Sequence, residues 1–267
     1  MYPILLTLGP IHFYYYGLFL AMGLGLSIYL FAKDVGNKLA PKIGLSYQQG
    51  FQKAFDLGTW VIIFSILGAR LFYVLENHEE FQNGRWLDAV KIWQGGLVYY
   101  GGLFGAIGAA IVWYKIEKWP TAFAFDLVAP YILLGQAIGR VGCFLNGCCY
   151  GNEDHVYGMV FPGAPDQLPH LPTQLWEMAG DLILFFILWR ARKWTLRFPW
   201  LSSSLYGLTY GLLRFVIEFW RRDWNKHYLV IFNSASQAVS GLIVMLSLAM
   251  VLVILLDARK VRKSSAN

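Results

Sequence analysis

Seven stretches of this chain are long and apolar enough to cross a lipid bilayer, and that leaves few folds open to it. They cover residues 13–32, 55–75, 92–114, 121–146, 172–189, 198–220 and 235–256. A hydrocarbon core is filled by about twenty helical residues. Within it every backbone N–H and C=O must be satisfied internally, which restricts spanning segments to helices or closed barrels. Runs of this length predict helices. The expected fold is all-α, a single polytopic transmembrane domain of about seven helices over residues 1–267. The longest connections, 76–91 and 147–171, are too short for a soluble domain.

Charge distribution sets the expected orientation. Only 14% of residues are charged, against about a quarter in soluble domains. A net charge of +6 would suit a nucleic-acid partner, but the positions of the basic residues argue otherwise. Lys33, Lys38, Lys42 and Lys53, then Lys115 and Lys118, then Arg190, Arg192, Lys193 and Arg197, then Arg259, Lys260, Arg262 and Lys263 all fall on one side of a seven-helix layout. The other side holds only Arg85, Lys91, Arg221, Arg222 and Lys226. Basic loops stay in the cytoplasm. The N-terminus is therefore expected outside and the C-terminus inside, with the membrane as partner and no nucleic acid. Residues 1–12 lack Lys and Arg, so no cleavable signal peptide is expected.

Three arginines remain, and all lie within the apolar runs: Arg70, Arg140 and Arg214. An arginine inside a bilayer costs at least ~2.5 kcal/mol and normally has a partner or a task. The layout puts all three in the outer half. Tyr210, Arg214 and Glu218 share a helix face at four-residue spacing. The outer starts of other helices bring Tyr14 to Tyr16, Tyr99, Tyr100, Gln174 and Glu177 to the same depth. Several arginines facing few acids make a cationic pocket, and guanidinium pairs bidentately with phosphate. The alternative is a plain ion pair tying helices together. Asp126 reads as a helix-terminus acid and Asp181 as a polar interhelical contact. Gly101, Gly105 and Ala109 form a small-residue row that allows close helix approach. Pro172 suits a first helical turn. The five histidines lack metal spacing, and no cofactor motif is present. Cys143, Cys148 and Cys149 form neither a disulfide framework nor a structural zinc pattern. They read as a redox pair, as a nucleophile, or as small residues in a tight turn beside Gly147 and Gly151. No metal ligand is expected.

The run Gly139-Arg140-Val141-Gly142-Cys143-Phe144-Leu145-Asn146-Gly147 resembles the signature of prolipoprotein diacylglyceryl transferases, commonly Gly-Arg-x-Gly-Asn-Phe-x-Asn-Gly. Further matches follow in order: Tyr15-Tyr16-Gly17-Leu18, Gly68-Ala69-Arg70, Trp93-Gln94-Gly95-Gly96, Asp126-Leu127-Val128-Ala129-Pro130, Pro172 to Glu177, and Tyr210 to Phe219. The resemblance implies a multi-pass enzyme of the bacterial inner membrane. Such an enzyme moves the diacylglyceryl group of phosphatidylglycerol to the lipobox cysteine thiol in the signal peptide of a preprolipoprotein, and releases glycerol phosphate. Together with the charge reading it makes Tyr100, Arg140, Arg214 and Glu218 the expected catalytic residues, and Tyr16, Arg70, Asn146, Gln174, Tyr210 and Arg221 the expected substrate-binding ones. Arg140 and Arg214 would hold the lipid phosphate, and either Tyr100 or Glu218 would take the acceptor's proton. The chain departs from the pattern at Tyr100, where many members carry His, at Cys143 (Asn) and at Cys148 (Glu). Those departures leave the proton acceptor and the thiol acceptor open. A non-catalytic relative that binds anionic phospholipid or lipoprotein is the alternative. A transporter would instead place its charges at mid-membrane within a repeat.

Overall fold

The computed structural model describes residues 4–8, 11–81, 86–92, 95–221 and 234–264. Trp93, Gln94, Arg85, Arg222, Lys226 and His227 lie outside them. The described chain is mostly helical, with seven α-helices: α1 (Tyr15–Asp34), α2 (Tyr47–Glu76), α3 (Tyr99–Ile116), α4 (Thr121–Asn146), α5 (Thr173–Thr195), α6 (Leu201–Ile217) and α7 (Ala235–Ser264). Four of these stretches, at α1, α2, α4 and α7, are long and apolar enough to cross a membrane. Large apolar side chains lie on the surface and several charged or polar ones inside, beside a buried apolar core. Leu67, Leu71, Met245, Leu246 and Val253 are more than half exposed, while Asp126, Gln174, Glu177, Asp181, Glu218 and Gln237 are buried. Such an apolar exterior suits a chain whose solvent is lipid.

By contacts the chain divides into two compact units, residues 31–124 and residues 1–30 with 125–267. In the first, Ser46 caps α2 through a capping box with Gln49, so the helix starts eight residues before the apolar run at Phe55. Helices α2 and α3 touch backbone to backbone. A Cβ on Gly105 would overlap the carbonyl of Phe64, and one on Gly101 would overlap the carbonyl of Gly68. Two members of the predicted small-residue row thus make the contact expected of them. Gly108 faces open space. Gly105→Leu is therefore expected to cost about 1–3 kcal/mol through overpacking, whereas Gly108→Ala is expected to be neutral or slightly stabilising. Thermal unfolding in detergent checks both, and equal shifts would remove the close-contact argument.

In the second unit an antiparallel hairpin, β1 (Ile4–Leu8) and β2 (Ile11–Tyr14), precedes α1. No strand is expected there from sequence: the helix expected over 13–32 takes in Phe13 and Tyr14, which the structure places in β2. Helices α1 and α4 approach through glycines: a Cβ on Gly142 would lie 3.2 Å from the Tyr16 Cα, and one on Gly23 2.9 Å from the Gly135 carbonyl. Asp126 is a helix-terminus acid, but for α6 rather than for its own helix. Its Oδ1 accepts from the Ser203 amide at 2.8 Å and the Ser203 hydroxyl at 2.7 Å. Trp200, at the α6 N-cap position, offers no side-chain cap. A carboxylate at that helix start satisfies orphan amides and complements the dipole. Pro172 occupies the N-cap position of α5, one place before the first turn.

The connection 147–171 is a small packed body. Its strands β3 (Met159–Val160) and β4 (Pro169–His170) pair antiparallel. His170 is fully buried, with Nε2 3.0 Å from Asp166 Oδ1 and its ring 4.7 Å from that of Tyr150. The amides of Tyr157 and Val156 donate to Asp154 and hold its carboxyl below the usual range. The Asn152 amide donates to the Trp220 carbonyl at 2.7 Å, and Gly151 pairs with Arg221. The connection is thereby fastened to the end of α6.

Candidate active site

Glu177 is the hub. It is 1% exposed and lies on the second turn of α5. Arg140 of α4 donates from Nη2 to its Oε1 at 2.6 Å, and Arg214 of α6 from Nη1 to its Oε2 at 3.3 Å. One carboxylate thus joins three helices. Arg214 continues to Glu218, with Nη2 2.8 Å from Oε2, and Arg221 Nε lies 3.9 Å from the same oxygen. The other Glu218 oxygen accepts from the Ser234 hydroxyl at 2.6 Å. Ser234 Oγ in turn accepts the Gln237 amide, capping α7. Three guanidiniums therefore face two carboxylates, an excess of one positive charge in a place sheltered from water. The Arg140 side chain is the most accessible of the three at 20% exposed, against 12% for Arg214 and 8% for Arg221. Among the described residues its Nε and Nη1 make no hydrogen bond, so they stand open to an anion.

Of the residues expected from sequence, the structure brings together Arg140, Arg214, Glu218 and Arg221. Tyr210 lies within electrostatic reach of Arg140 and Glu177, with its ring stacked on Tyr206 at 5.6 Å. Tyr16 and Asn146 share a groove of about 490 Å³, lined also by Leu5, His12, Phe13, Tyr14 and Leu18. Gln174 is 1% exposed and donates from Nε2 to the Cys148 carbonyl at 2.7 Å.

Arg70 and Tyr100 belong to the other unit. Tyr100, on the first turn of α3, is half-buried with its ring edge-on to Tyr99 at 5.5 Å. Arg70 is 7% exposed, and its donors go to backbone: Nε to the Ala89 carbonyl at 2.7 Å, Nη2 to Asp88 at 2.7 Å, and Nη1 to Gly95 at 2.7 Å and Gly96 at 3.1 Å. Four of its five N–H groups are taken, and Tyr73 and Phe81 pack against its guanidinium at 5.2 and 5.6 Å. Asp181, expected as an interhelical contact, is fully buried, and neither carboxyl oxygen has a hydrogen-bond partner among the described residues.

Two features escaped the sequence reading. One is Ser234, although Ser234-Ala235-Ser236-Gln237 carries the spacing of a capping box. The other is the meeting of the cysteines. The end of α4 is a Schellman turn: the Gly147 amide donates to Phe144 at 3.1 Å and the Cys148 amide to Cys143 at 3.2 Å, with Gly147 at φ +71°. This motif places the residue after the glycine against the one five positions before it, here Cys148 against Cys143. Cys149 follows at φ +64°, and its carbonyl accepts from the Thr173 hydroxyl at 3.0 Å. The three sulfurs lie within 4.8 Å of one another. Hydrogen bonds from the other two thiols, then the charges of Arg221 and Arg140, pull Cys149 below the ordinary thiol value.

A model of the family described as prolipoprotein diacylglyceryl transferase matches residues 3–254. Among curated relatives, the phosphatidylglycerol–prolipoprotein diacylglyceryl transferase of Wolbachia pipientis wMel is 31% identical over 92% of each chain. The protein of the same name from Vibrio vulnificus strain CMCP6 is 36% identical over 82% of this chain and 78% of the relative. The one from Oceanobacillus iheyensis is 30% identical over 92% and 86%.

Proposed function

Since the chain belongs to the prolipoprotein diacylglyceryl transferase family, we propose that it transfers the diacylglyceryl group of phosphatidylglycerol to the lipobox cysteine of a preprolipoprotein, releasing glycerol phosphate. The observation that carries this reading is the Arg140–Glu177–Arg214 hub with open donors on Arg140. In this reading all seven helices span the bacterial inner membrane, with the N-terminus outside and the C-terminus cytoplasmic, as the basic loops favour. The hub then lies at headgroup depth, where the anion at hand is a phospholipid phosphate.

The acceptor thiolate attacks the glycerol carbon that bears the phosphate ester. The S–C bond forms as the C–O bond breaks, and the phosphate departs with the electron pair and one more negative charge. Arg140 and Arg214 stabilise that charge, which grows only as the bond breaks, so their help is larger in the transition state than in the bound lipid. Arg221 adds positive field. Glu177 fixes both guanidiniums without cancelling them. Glu218, held by Arg214 and Ser234, is an anchor in this scheme rather than a base. Tyr16 and Asn146 position the headgroup above a groove in which Leu5, Phe13 and Leu18 offer apolar surface to acyl chain. Gln174 fixes the Cys148 carbonyl. Tyr210 backs Arg140. Arg70 holds the carbonyls of Asp88, Ala89, Gly95 and Gly96. Tyr100 remains the one unengaged candidate for proton transfer.

The test is reconstitution with phosphatidylglycerol labelled in its headgroup and a peptide carrying a lipobox cysteine. Released glycerol phosphate together with a diacylglyceryl-modified peptide is the expected outcome. Folded protein that binds the lipid but releases nothing would sink the enzymatic reading.

A further inference from the structure

We propose that Cys143, Cys148 and Cys149 form a three-thiolate site for zinc, whose fourth position takes the acceptor thiol. The inference rests on the transferase reading above and adds to it the means by which the thiol is activated.

The spacing shows no zinc pattern, because ligands at i, i+5 and i+6 match none of the usual pairs two to four residues apart. Turn geometry brings the sulfurs together instead. The Schellman turn folds Cys148 back onto Cys143, and the left-handed backbone at Cys149 brings in the third. A non-glycine residue in that conformation is uncommon and is kept only where its surroundings enforce it. Here Gln174 and Thr173, at the start of α5, hold the carbonyls of Cys148 and Cys149. Zinc–sulfur bonds of about 2.3 Å set tetrahedral sulfurs roughly 3.8 Å apart, and the three sulfurs lie within 4.8 Å of one another. Closing on an ion needs only small side-chain rotations.

Three observations point to an open, reactive site rather than a closed structural one. Among the described residues only three ligand side chains converge, all sulfurs, and three protein ligands plus an exchangeable position is the arrangement of catalytic zinc. The charges fit: three thiolates and a divalent ion carry one net negative charge, within the field of Arg140 and Arg221. Among the described residues the buried Gln174 Oε1 has no hydrogen-bond partner, on the same amide whose Nε2 holds Cys148. A donor on a ligand seated at the ion would satisfy that oxygen.

The chemistry joins this site to the proposed reaction. The acceptor's lipobox thiol enters the fourth position, loses its proton to water and becomes a zinc-bound thiolate. It then attacks the glycerol carbon; the S–C bond forms, the C–O bond to phosphate breaks, and glycerol phosphate leaves toward Arg140. The thioether, a far weaker ligand than a thiolate, departs and the position reopens. No oxidant, reductant or side-chain base is required, so thiolate formation does not depend on a histidine where this chain has Tyr100.

The experiment uses the full chain purified in detergent without chelator. About one zinc per chain is expected by elemental analysis, and none in C143S/C148S/C149S. After replacement of zinc by cobalt, a sulfur-to-cobalt charge-transfer band is expected. A lipobox cysteine peptide should shift the cobalt ligand-field bands, and the same peptide with serine should not. If the triple variant fails to fold, thiol alkylation followed by mass spectrometry on the unaltered protein decides. Protection of all three cysteines that a chelator relieves supports the site. A disulfide among them, copper in place of zinc, or failure to take up cobalt overturns it. Unchanged diacylglyceryl transfer by metal-free protein would overturn the site and leave the transferase standing. Zinc bound with no transfer at all would do the reverse.

Discussion

Arg140→Ala is expected to lower glycerol phosphate release by about 10²–10³-fold, the usual loss when one preorganised donor to a developing oxyanion is removed, while the protein stays folded. Both halves follow from the hub. Arg140 is the most exposed of the three clustered arginines and, among the described residues, makes one hydrogen bond, to Glu177. Its removal leaves Glu177 still paired to Arg214 at 3.3 Å, so no buried carboxylate is stranded. Arg140→Lys should recover only part of the rate, because an ammonium keeps the charge but loses the planar fork that reaches carboxylate and phosphate together. Headgroup release in vesicles supplies the rate, and thermal unfolding in detergent reports the fold. Wild-type turnover in Arg140→Ala would remove phosphate stabilisation from Arg140. A collapse of folded yield would make it a structural ion pair, the plainer of the two readings open from sequence.

What could be read in advance divides along a physical line. Arg140, Arg214 and Glu218 stood out because a charge inside an apolar run needs a reason, and the run itself is visible. The α2–α3 contact was legible for a similar reason: glycines at four-residue spacing have few other uses in a helix. Arg70 satisfied the same rule and came out differently. Its donors end on backbone carbonyls eighteen to twenty-six residues away, contacts that hydropathy does not describe. Asp126 was recognised as a helix-terminus acid, but the helix it caps begins some 75 residues later, a pairing that only the fold creates. The cysteines lay between these cases. Gly147 predicts a left-handed turn, and a Schellman turn predicts that Cys143 meets Cys148. The third sulfur depends on Cys149 adopting a backbone conformation that its residue type disfavours.

Glu177→Ala is expected to produce the largest loss of stability, about 3–5 kcal/mol, the cost of removing one partner from a buried ion pair. Here the cost falls at the upper end because two guanidiniums depend on the carboxylate. Arg214 would keep Glu218 at 2.8 Å, but Arg140 would lose its only hydrogen-bond partner among the described residues and face another cation across a dry gap. Glu177→Gln keeps the shape and an acceptor oxygen but not the charge, so a smaller loss is expected. The informative variant is the double one. Arg140→Leu with Glu177→Ala removes a cation together with its anion, and should be more stable than the sum of the single losses by roughly 0.5–3 kcal/mol. Activity should be no higher in it than in Arg140→Ala, since the Arg140 donors are gone. Thermal unfolding of the four proteins closes the cycle. Additive losses would mean that Glu177 and Arg140 do not act as a pair, and that the bundle is held by packing around them.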